Sequence, residues 1–290
     1  MNSVLINGIT ADYLTINDRA IHYGDGLFET ILCSNNTLFY WPQHYQRLRQ
    51  SALKLKLNCP DEQILLHDIS YLLKENETPE AGVFSIKIII TRGSSERGYV
   101  IPKKTSENRI VLLSAISPDY CALISGELLS GELYLCRQQV SINESLAGLK
   151  HLNRLENVLA RNEWHDTAKN NYVDGLMLNA KQHVIEGTMS NLFAIKDNKL
   201  CTPDLSQSGI NGIMRAMIIA AAERNSIEVS TVNLSLEELL DMDEIFISNS
   251  LMGIRSVNKV ASSFFHGQTL TKLLYSDLLK TKNDHAQVIQ

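Results

Sequence analysis

Short runs of alternating apolar and polar residues, set between turn residues, open the chain and predict strands and hairpins. Residues 4–7 run into Asn7-Gly8, the strongest short-range hairpin signal. Residues 27–33 and 37–41 flank a Ser34-Asn35-Asn36 turn. The period then changes. Pro42 starts a helix carrying His44, Arg47 and Leu48, and Pro60 starts another with Ile64, Leu65, Ile69, Leu72 and Leu73 on one face. Residues 84–91, rich in isoleucine, read as a buried strand that runs out into a Gly/Ser-rich loop, and residues 109–116 as a further strand. Ser117-Pro118-Asp119 breaks the pattern, which places a linker at 117–123 between domains 1–116 and 124–290.

The second part alternates strand and helix more regularly. Residues 132–140 predict a strand leading to a glycine-lysine turn, followed by a helix with Leu152, Leu155, Val158 and Leu159 at helical spacing. Residues 175–178, 184–187 and 191–195 form a meander, with an Asp197-Asn198 turn into 200–202. A helix at 213–225 begins behind Gly209-Ile210-Asn211-Gly212, and Ser235-Leu236-Glu237-Glu238 is a capping box. A strand at 244–248 ends in Asn249-Ser250-Leu251-Met252-Gly253, and Asn283-Asp284-His285 reads as a frayed tail. The expected fold is an N-terminal α+β domain followed by a C-terminal α/β domain that carries the lysine turn.

Composition narrows the function classes. A chain of 290 residues with 44% hydrophobic residues exceeds what one core usually fills. A formal net charge of −5 argues against holding nucleic acid or an anionic membrane by bulk attraction. The five cysteines, Cys33, Cys59, Cys121, Cys136 and Cys201, show neither CxxC nor Cys/His ligand spacing, so reduced thiols and no metal site are expected. The opening residues lack the charged and apolar regions of a leader, and no apolar stretch approaches the ~18–20 residues of a membrane span. The expectation is a soluble cytoplasmic protein.

Several positions are candidates for chemistry. Lys150, behind Gly148 in a turn, is placed where an amine can be desolvated and act on an aldehyde. Asn211-Gly212-Ile213-Met214 opens a helix after a glycine loop, so backbone N–H groups and the dipole would favour an anion, and Ser250 offers a hydroxyl after a strand. Arg47 is a second candidate for that anion. Glu186 alternates with Val184, and a buried carboxylate there requires a partner such as a protonated ring nitrogen. Thr30 shares a strand face with Phe28 and Leu32. Arg92, Arg97 and Tyr99 suit either carboxylate capture or a solvated hairpin tip. One ligand would unite these positions: a phosphorylated aldehyde with a pyridine ring.

The ordered strings Asp18-Arg19-Ala20, Tyr23-Gly24-Asp25-Gly26-Leu27-Phe28-Glu29-Thr30, His44-Tyr45-Gln46-Arg47-Leu48, Thr91-Arg92-Gly93-Ser94-Ser95-Glu96-Arg97-Gly98-Tyr99, Ala147-Gly148-Leu149-Lys150-His151-Leu152-Asn153-Arg154-Leu155-Glu156, Glu186-Gly187-Thr188 and Gly209-Ile210-Asn211-Gly212-Ile213-Met214-Arg215 are similar to those of the fold-type IV pyridoxal-phosphate enzymes. The resemblance covers about residues 5–257. It implies a two-domain fold like that of D-amino acid aminotransferases, with pyridoxal 5'-phosphate held between the domains of a homodimer. It implies that Lys150 forms the Schiff base and Glu186 pairs with the pyridine nitrogen. It also implies that Arg47, the amides of Ile213 and Met214, and Ser250 hold the phosphate, with Arg97 and Tyr99 on substrate carboxylates. Thr30 and the strings around Arg97 and Lys150 lean toward members that split 4-amino-4-deoxychorismate into p-aminobenzoate and pyruvate, with Thr30 as the acid. Leu32 stands where many such members carry arginine. A D-amino-acid or branched-chain aminotransferase using the same Lys150 and Glu186 is the alternative.

Overall fold

The computed structural model describes residues 3–76, 82–164 and 172–289, which form two compact units. The first unit comprises Met1–Pro118, Lys150–Asn153 and Lys282–Gln290, and the second comprises Asp119–Leu149 and Arg154–Thr281. Lys150–Asn153 thus belongs to the first unit although the chain on both sides of it belongs to the second. The sequence had assigned the lysine to the C-terminal domain. Among the described residues no helix is long and apolar enough to cross a membrane.

In the first unit the elements run β1 (Ser3–Ile6), β2 (Ile9–Thr10), α1 (Arg19–Tyr23), β3 (Gly26–Ser34), β4 (Thr37–Leu38), α2 (Trp41–Leu55), α3 (Glu62–Glu75), β5 (Val83–Thr91) and β6 (Asn108–Ala115). A last short strand, Gln287–Val288, completes the sheet in the order Gln287–Val288, β4, β3, β5, β6, β1, β2. Every pairing in it is antiparallel. The alternation in β3 explains its place: Leu27, Ile31 and Cys33 pack with Leu48 and Ala52 of α2 and Leu65 and Ile69 of α3. Phe28, Thr30 and Leu32 alternate with them and lie on the opposite face.

Two expectations in this unit change. Pairing after the Asn35-Asn36 turn stops at Leu38, Tyr40 takes a left-handed φ of 57°, and Trp41 is already helical. Pro42 sits at the helix start, where its fixed φ and missing N–H cost nothing. The tail is no frayed end: Gln287 and Val288 pair with Leu38 and Thr37, and the Ile289 N–H donates to the Asn36 carbonyl at 2.8 Å. Ile289 also packs against the core.

In the second unit the elements run α4 (Ala122–Ser125), β7 (Ser130–Leu135), α5 (Leu155–Asn162), β8 (Tyr172–Leu178), β9 (His183–Gly187), β10 (Asn191–Lys196), β11 (Lys199–Pro203), α6 (Ile213–Arg224), β12 (Val229–Val232), β13 (Leu234–Ser235), α7 (Leu236–Leu240), β14 (Glu244–Asn249), β15 (Gly253–Val260), β16 (Ser263–Phe264) and α8 (Thr269–Thr281). The sheet order is β12, β11, β10, β14, β15, β7, β8, β9, β13, and β9 pairs again with β10. The strands β10, β14, β15, β7, β8 and β9 therefore close into a ring of pairings. Leu133, Leu176, Val184, Leu192, Ile245, Ile247 and Val257 fill one core cluster there. Asp197 and Asn198 both have positive φ, as the tight turn from β10 to β11 requires.

The strand expected at 132–140 ends at Leu135, and Val140 makes only an isolated bridge to Asn179. The helix expected after the lysine turn, with Leu152 on its apolar face, opens only at Leu155. Its apolar positions Leu155, Val158 and Leu159 are 70%, 60% and 51% exposed, so helical spacing there does not mark a face buried within this chain.

Gly26 sits at the seam between β3, β5 and the Lys150–Asn153 segment. A Cβ there would lie 2.4 Å from the Ile90 carbonyl oxygen and 2.7 Å from Leu152 Cδ1. We expect Gly26→Ala to destabilise the protein by at least about 2 kcal/mol, because the nearest atom is backbone and cannot swing aside. Denaturant unfolding checks this, and a loss below a few tenths of a kcal/mol would contradict it.

Candidate active site

The lysine turn is fixed from the backbone outward. Gly148 takes φ 78°, a conformation that suits glycine, and its N–H donates to the Gly209 carbonyl at 2.9 Å. One residue after the buried Leu149, the chain becomes extended along β3. The Phe28 N–H donates to the Lys150 carbonyl at 2.9 Å, and the Leu152 N–H to the Gly26 carbonyl at 3.1 Å. Asn153 Nδ2 donates to the Gly24 carbonyl at 3.2 Å. Lys150 is half-buried, and its Nζ lies 4.4 Å from the centre of the Phe28 ring. Thr30, also half-buried, is two residues along the same strand face. The structure thus brings Lys150 and Thr30 to one face of β3.

The opposite face of β3 holds a charge cluster that sequence reasoning missed. Glu29 is 1% exposed and binds Arg47 with both oxygens, at 2.8 Å from Nε and 2.5 Å from Nη2. His44 Nδ1 lies 2.7 Å from the same Oε2. Burial alone would push the Glu29 carboxyl up, but the Arg47 charge and the His44 and Arg47 hydrogen bonds outweigh it and hold it at about 2. Burial lowers His44, reinforced by the Arg47 and Lys150 charges against the opposing pull of Glu29, so the ring is neutral and donates through Nδ1. A charged residue in the apolar run from Leu27 to Cys33, with His44 and Arg47 three apart on a helix, was the available signal.

Arg92 is not a ligand-capturing arginine. It is 3% exposed, binds both oxygens of Asp25 through Nε and Nη2, and donates to the Leu55 and Lys56 carbonyls at the end of α2. Arg19 binds Asp25 as well, and its Nη1 donates to the Gly98 carbonyl and to Ser95. The Asp18-Arg19 and Asp25 strings are therefore structural: they staple α1, α2 and the loop after β5. Arg97 and Tyr99 lie exposed on that loop, with the Tyr99 ring 5.2 Å from the Tyr23 ring.

In the second unit, Glu186 is 3% exposed near the end of β9, and its Oε2 accepts from the Ile210 N–H at 2.8 Å. Arg154 feels its charge: burial lowers the arginine, and Glu186 then Glu156 oppose that shift. Asn191 is the hub. It pairs with Glu186 on one side and with Ser248 on the other, and its Nδ2 donates to the Ile210 carbonyl at 2.8 Å. A Cβ on Gly212 would lie 2.0 Å from Asn191 Oδ1, so this close approach needs glycine. Gly212 caps α6 without a side-chain hydrogen bond, so the first amides, Ile213 and Met214, point out of the helix unmet by a cap. Ser250 is half-buried in the turn after β14, where Asn249 Oδ1 accepts from the Leu251 and Met252 N–H groups.

Asp174, also missed from sequence, is 2% exposed and holds the turn after Glu186. It accepts from the Thr188 and Ser190 hydroxyls and from the N–H groups of Gly175, Thr188 and Met189. The second unit thus sets the first amides of α6 and a buried carboxylate, Glu186, on the same loop. Among the described residues no His, Cys, Asp or Glu cluster could hold a metal ion. Burial pushes the Cys33 and Cys136 thiols up to about 12 and Cys59 and Cys121 up to about 11, so these four are not activated nucleophiles.

Glu29 gives this site an acid-sensitive signature. Its folded value of about 2 lies below the ordinary 4.5, so its stabilisation is fully present above pH 4.5 and is lost as the pH falls toward 2. The shift corresponds to roughly 3 kcal/mol. We expect the stability gap between wild type and Glu29→Gln, measured by urea unfolding, to shrink across that window. A gap unchanged between pH 6 and pH 3 would contradict it.

Residues 26–260 match the family model for amino-transferase class IV. The chain is 34% identical to an aminodeoxychorismate lyase of Vibrio harveyi over 89% of its own length and 91% of that protein. It superposes on the crystal structure of 4-amino-4-deoxychorismate lyase from Pseudomonas aeruginosa with a TM-score of 0.83, at 34% identity, covering 96% of this chain and 98% of the other. It is also 29% identical to a D-alanine aminotransferase of Listeria monocytogenes, over 84% of its length and 81% of that protein. By its residues, its fold and the extent of these matches, the chain belongs to the class IV aminotransferase family.

Proposed function

We propose that this protein is a pyridoxal-phosphate-dependent lyase that converts 4-amino-4-deoxychorismate to p-aminobenzoate and pyruvate. The observation that carries the reading is the placement of Thr30 on the face of β3 that also carries Phe28 and the Lys150 amine. It puts the Lys150 amine and the residue bearing the Thr30 hydroxyl on the same side of one strand. The similarity to lyases at 34% identity supports the same choice.

The residues fit pyridoxal phosphate. The amides of Ile213 and Met214 at the start of α6, the Ser250 hydroxyl and the Arg47 guanidinium would hold its phosphate, and Glu186 would keep its ring nitrogen protonated. Lys150 would bind its aldehyde. When bound, the cofactor supplies an electron sink. The substrate's 4-amino group would displace Lys150 from the aldehyde, and the freed lysine, as a neutral amine, would take the proton from C4 of the substrate. As the C3–O bond breaks, the Thr30 hydroxyl delivers a proton to the methylene carbon of the departing enolpyruvyl group, which becomes pyruvate. The six-membered ring becomes aromatic, so the protein's task is to orient C4–H and keep water out. Arg97 and Tyr99 are proposed to meet substrate carboxylates. Their exposure, with that of Leu155, Val158 and Leu159, supports a homodimer whose partner subunit covers such surfaces. A cytoplasmic location suits the reduced thiols.

Two substitutions test this reading. Lys150→Ala should abolish turnover and the visible absorbance of the bound cofactor together, and full activity in that variant would end the scheme. Thr30→Val should leave that absorbance in place and lower kcat by about 10²–10⁴-fold, the usual worth of a positioned acid. The assay follows p-aminobenzoate and pyruvate released from aminodeoxychorismate without an amino acceptor. Equal release supports the lyase, whereas oxoacid formation from an amino acid and 2-oxoglutarate, with neither product released, would assign the protein to the aminotransferases.

A further inference from the structure

We infer that Glu29 and His44 are positioning residues for the phosphate anchor Arg47, and so set the preference of this protein for phosphorylated pyridoxal over pyridoxal itself. This rests on the reading of Arg47 as a phosphate ligand. The argument starts from the guanidinium. It is planar and rigid, and Glu29 takes the Nε–Nη2 edge with two hydrogen bonds at 2.8 and 2.5 Å. Two parallel bonds fix the plane and rotation of the group, which one bond would not. The Nη1 side is thereby turned in one fixed direction.

Glu29 needs fixing in turn, and His44 supplies it. The ring is 1% exposed and donates from Nδ1 to Glu29 Oε2 at 2.7 Å. Its other nitrogen, Nε2, is buried with no hydrogen-bond partner. A structural histidine in a core normally satisfies both nitrogens. Here one is left unmet, so the ring's polar function is spent on Glu29 alone. The three groups form one unit: His44 sets Glu29, Glu29 sets Arg47, and His44 and Arg47 sit one helical turn apart on α2. The carboxylate also keeps the arginine charge balanced before any phosphate arrives, so binding requires no rearrangement of a buried cation.

The test titrates the full-length protein with pyridoxal 5'-phosphate and, separately, with pyridoxal, reading the visible absorbance of each bound form. The quantity of interest is the ratio of the two affinities, because loss of fold lowers both while loss of phosphate anchoring lowers one. Glu29→Gln should reduce that ratio by roughly ten- to a hundredfold, the scale that supporting partners carry at metal sites. Arg47→Met should reduce it too, and combining both changes should add little to Arg47→Met alone. If Glu29→Gln does not fold, His44 gives the answer. His44→Leu should reduce the ratio, and His44→Asn, whose amide N–H stands near the Nδ1 position, should restore it. A wild-type ratio in the folded Glu29→Gln or His44→Leu variant, alongside a lowered one in Arg47→Met, would overturn this inference and leave Arg47 as the anchor. A wild-type ratio in Arg47→Met would overturn the anchor assignment as well.

Discussion

The backbone seam between Lys150–Leu152 and Gly26–Phe28 is the constraint on which the site depends. Two hydrogen bonds, from Phe28 to the Lys150 carbonyl and from Leu152 to the Gly26 carbonyl, hold a short extended segment on the edge of β3. Side-chain direction follows from backbone direction in a strand, so this seam fixes which face the amine takes. That face is the one carrying Phe28 and Thr30. An amine on a surface loop would wander among rotamers, whereas one anchored at its own carbonyl starts from a defined point. The glycines around the seam make the close approach possible, Gly26 against the Ile90 carbonyl and Gly148 through its left-handed turn.

Buried carboxylates do much of the remaining organisation. Glu29, Asp174 and Glu186 are each at most 3% exposed, and each accepts from N–H or O–H groups that come from other elements of its own unit. A buried carboxylate left without donors costs several kcal/mol, so each one forces its neighbours into a single arrangement. Asp25 plays the same part in a less buried setting, drawing Arg19 and Arg92 together at the end of α2. Asp174 differs in sign: burial pushes its carboxyl up in spite of the hydroxyl and amide donors around it. It acts on the turn after Glu186 by geometry, tying Thr188, Met189 and Ser190 to one point.

Legibility in the sequence followed the range of the interaction. Local signals translated directly: the Asn7-Gly8 turn, the Ser235–Glu238 capping box, and the helix opening at Ile213 all stand where the pattern placed them. Glu186 was readable as a buried carboxylate because Val184 beside it showed the face. What escaped were pairings between distant segments. No local pattern could reveal that residues after Gly148 would leave their own half and join β3, or that Gln287–Val288 would find β4. Helical spacing misled at Leu155, Val158 and Leu159, since an apolar stripe records that a surface is to be covered but not by what. Arg92 and Arg47 look alike as arginines near turns. Only the structure shows that Arg92 meets Asp25 and two carbonyls at the end of α2, and that Arg47 meets Glu29.

The assembly of the first unit from three separated stretches of chain bears on how the protein is made. A ribosome releases the chain in order, at about 5–20 residues per second. Residues 1–118 emerge first, yet the β3–β4 side of their sheet is completed by His151 against Leu27 and by residues 287–288 against β4. The β4 edge thus stays open for on the order of 10–50 s after β4 itself is synthesised. During that interval it presents unpaired backbone groups, a template for any other strand nearby. Synthesis of residues 287–288 is therefore also the closing of the first unit's sheet, and a chain interrupted before them leaves that sheet unsealed.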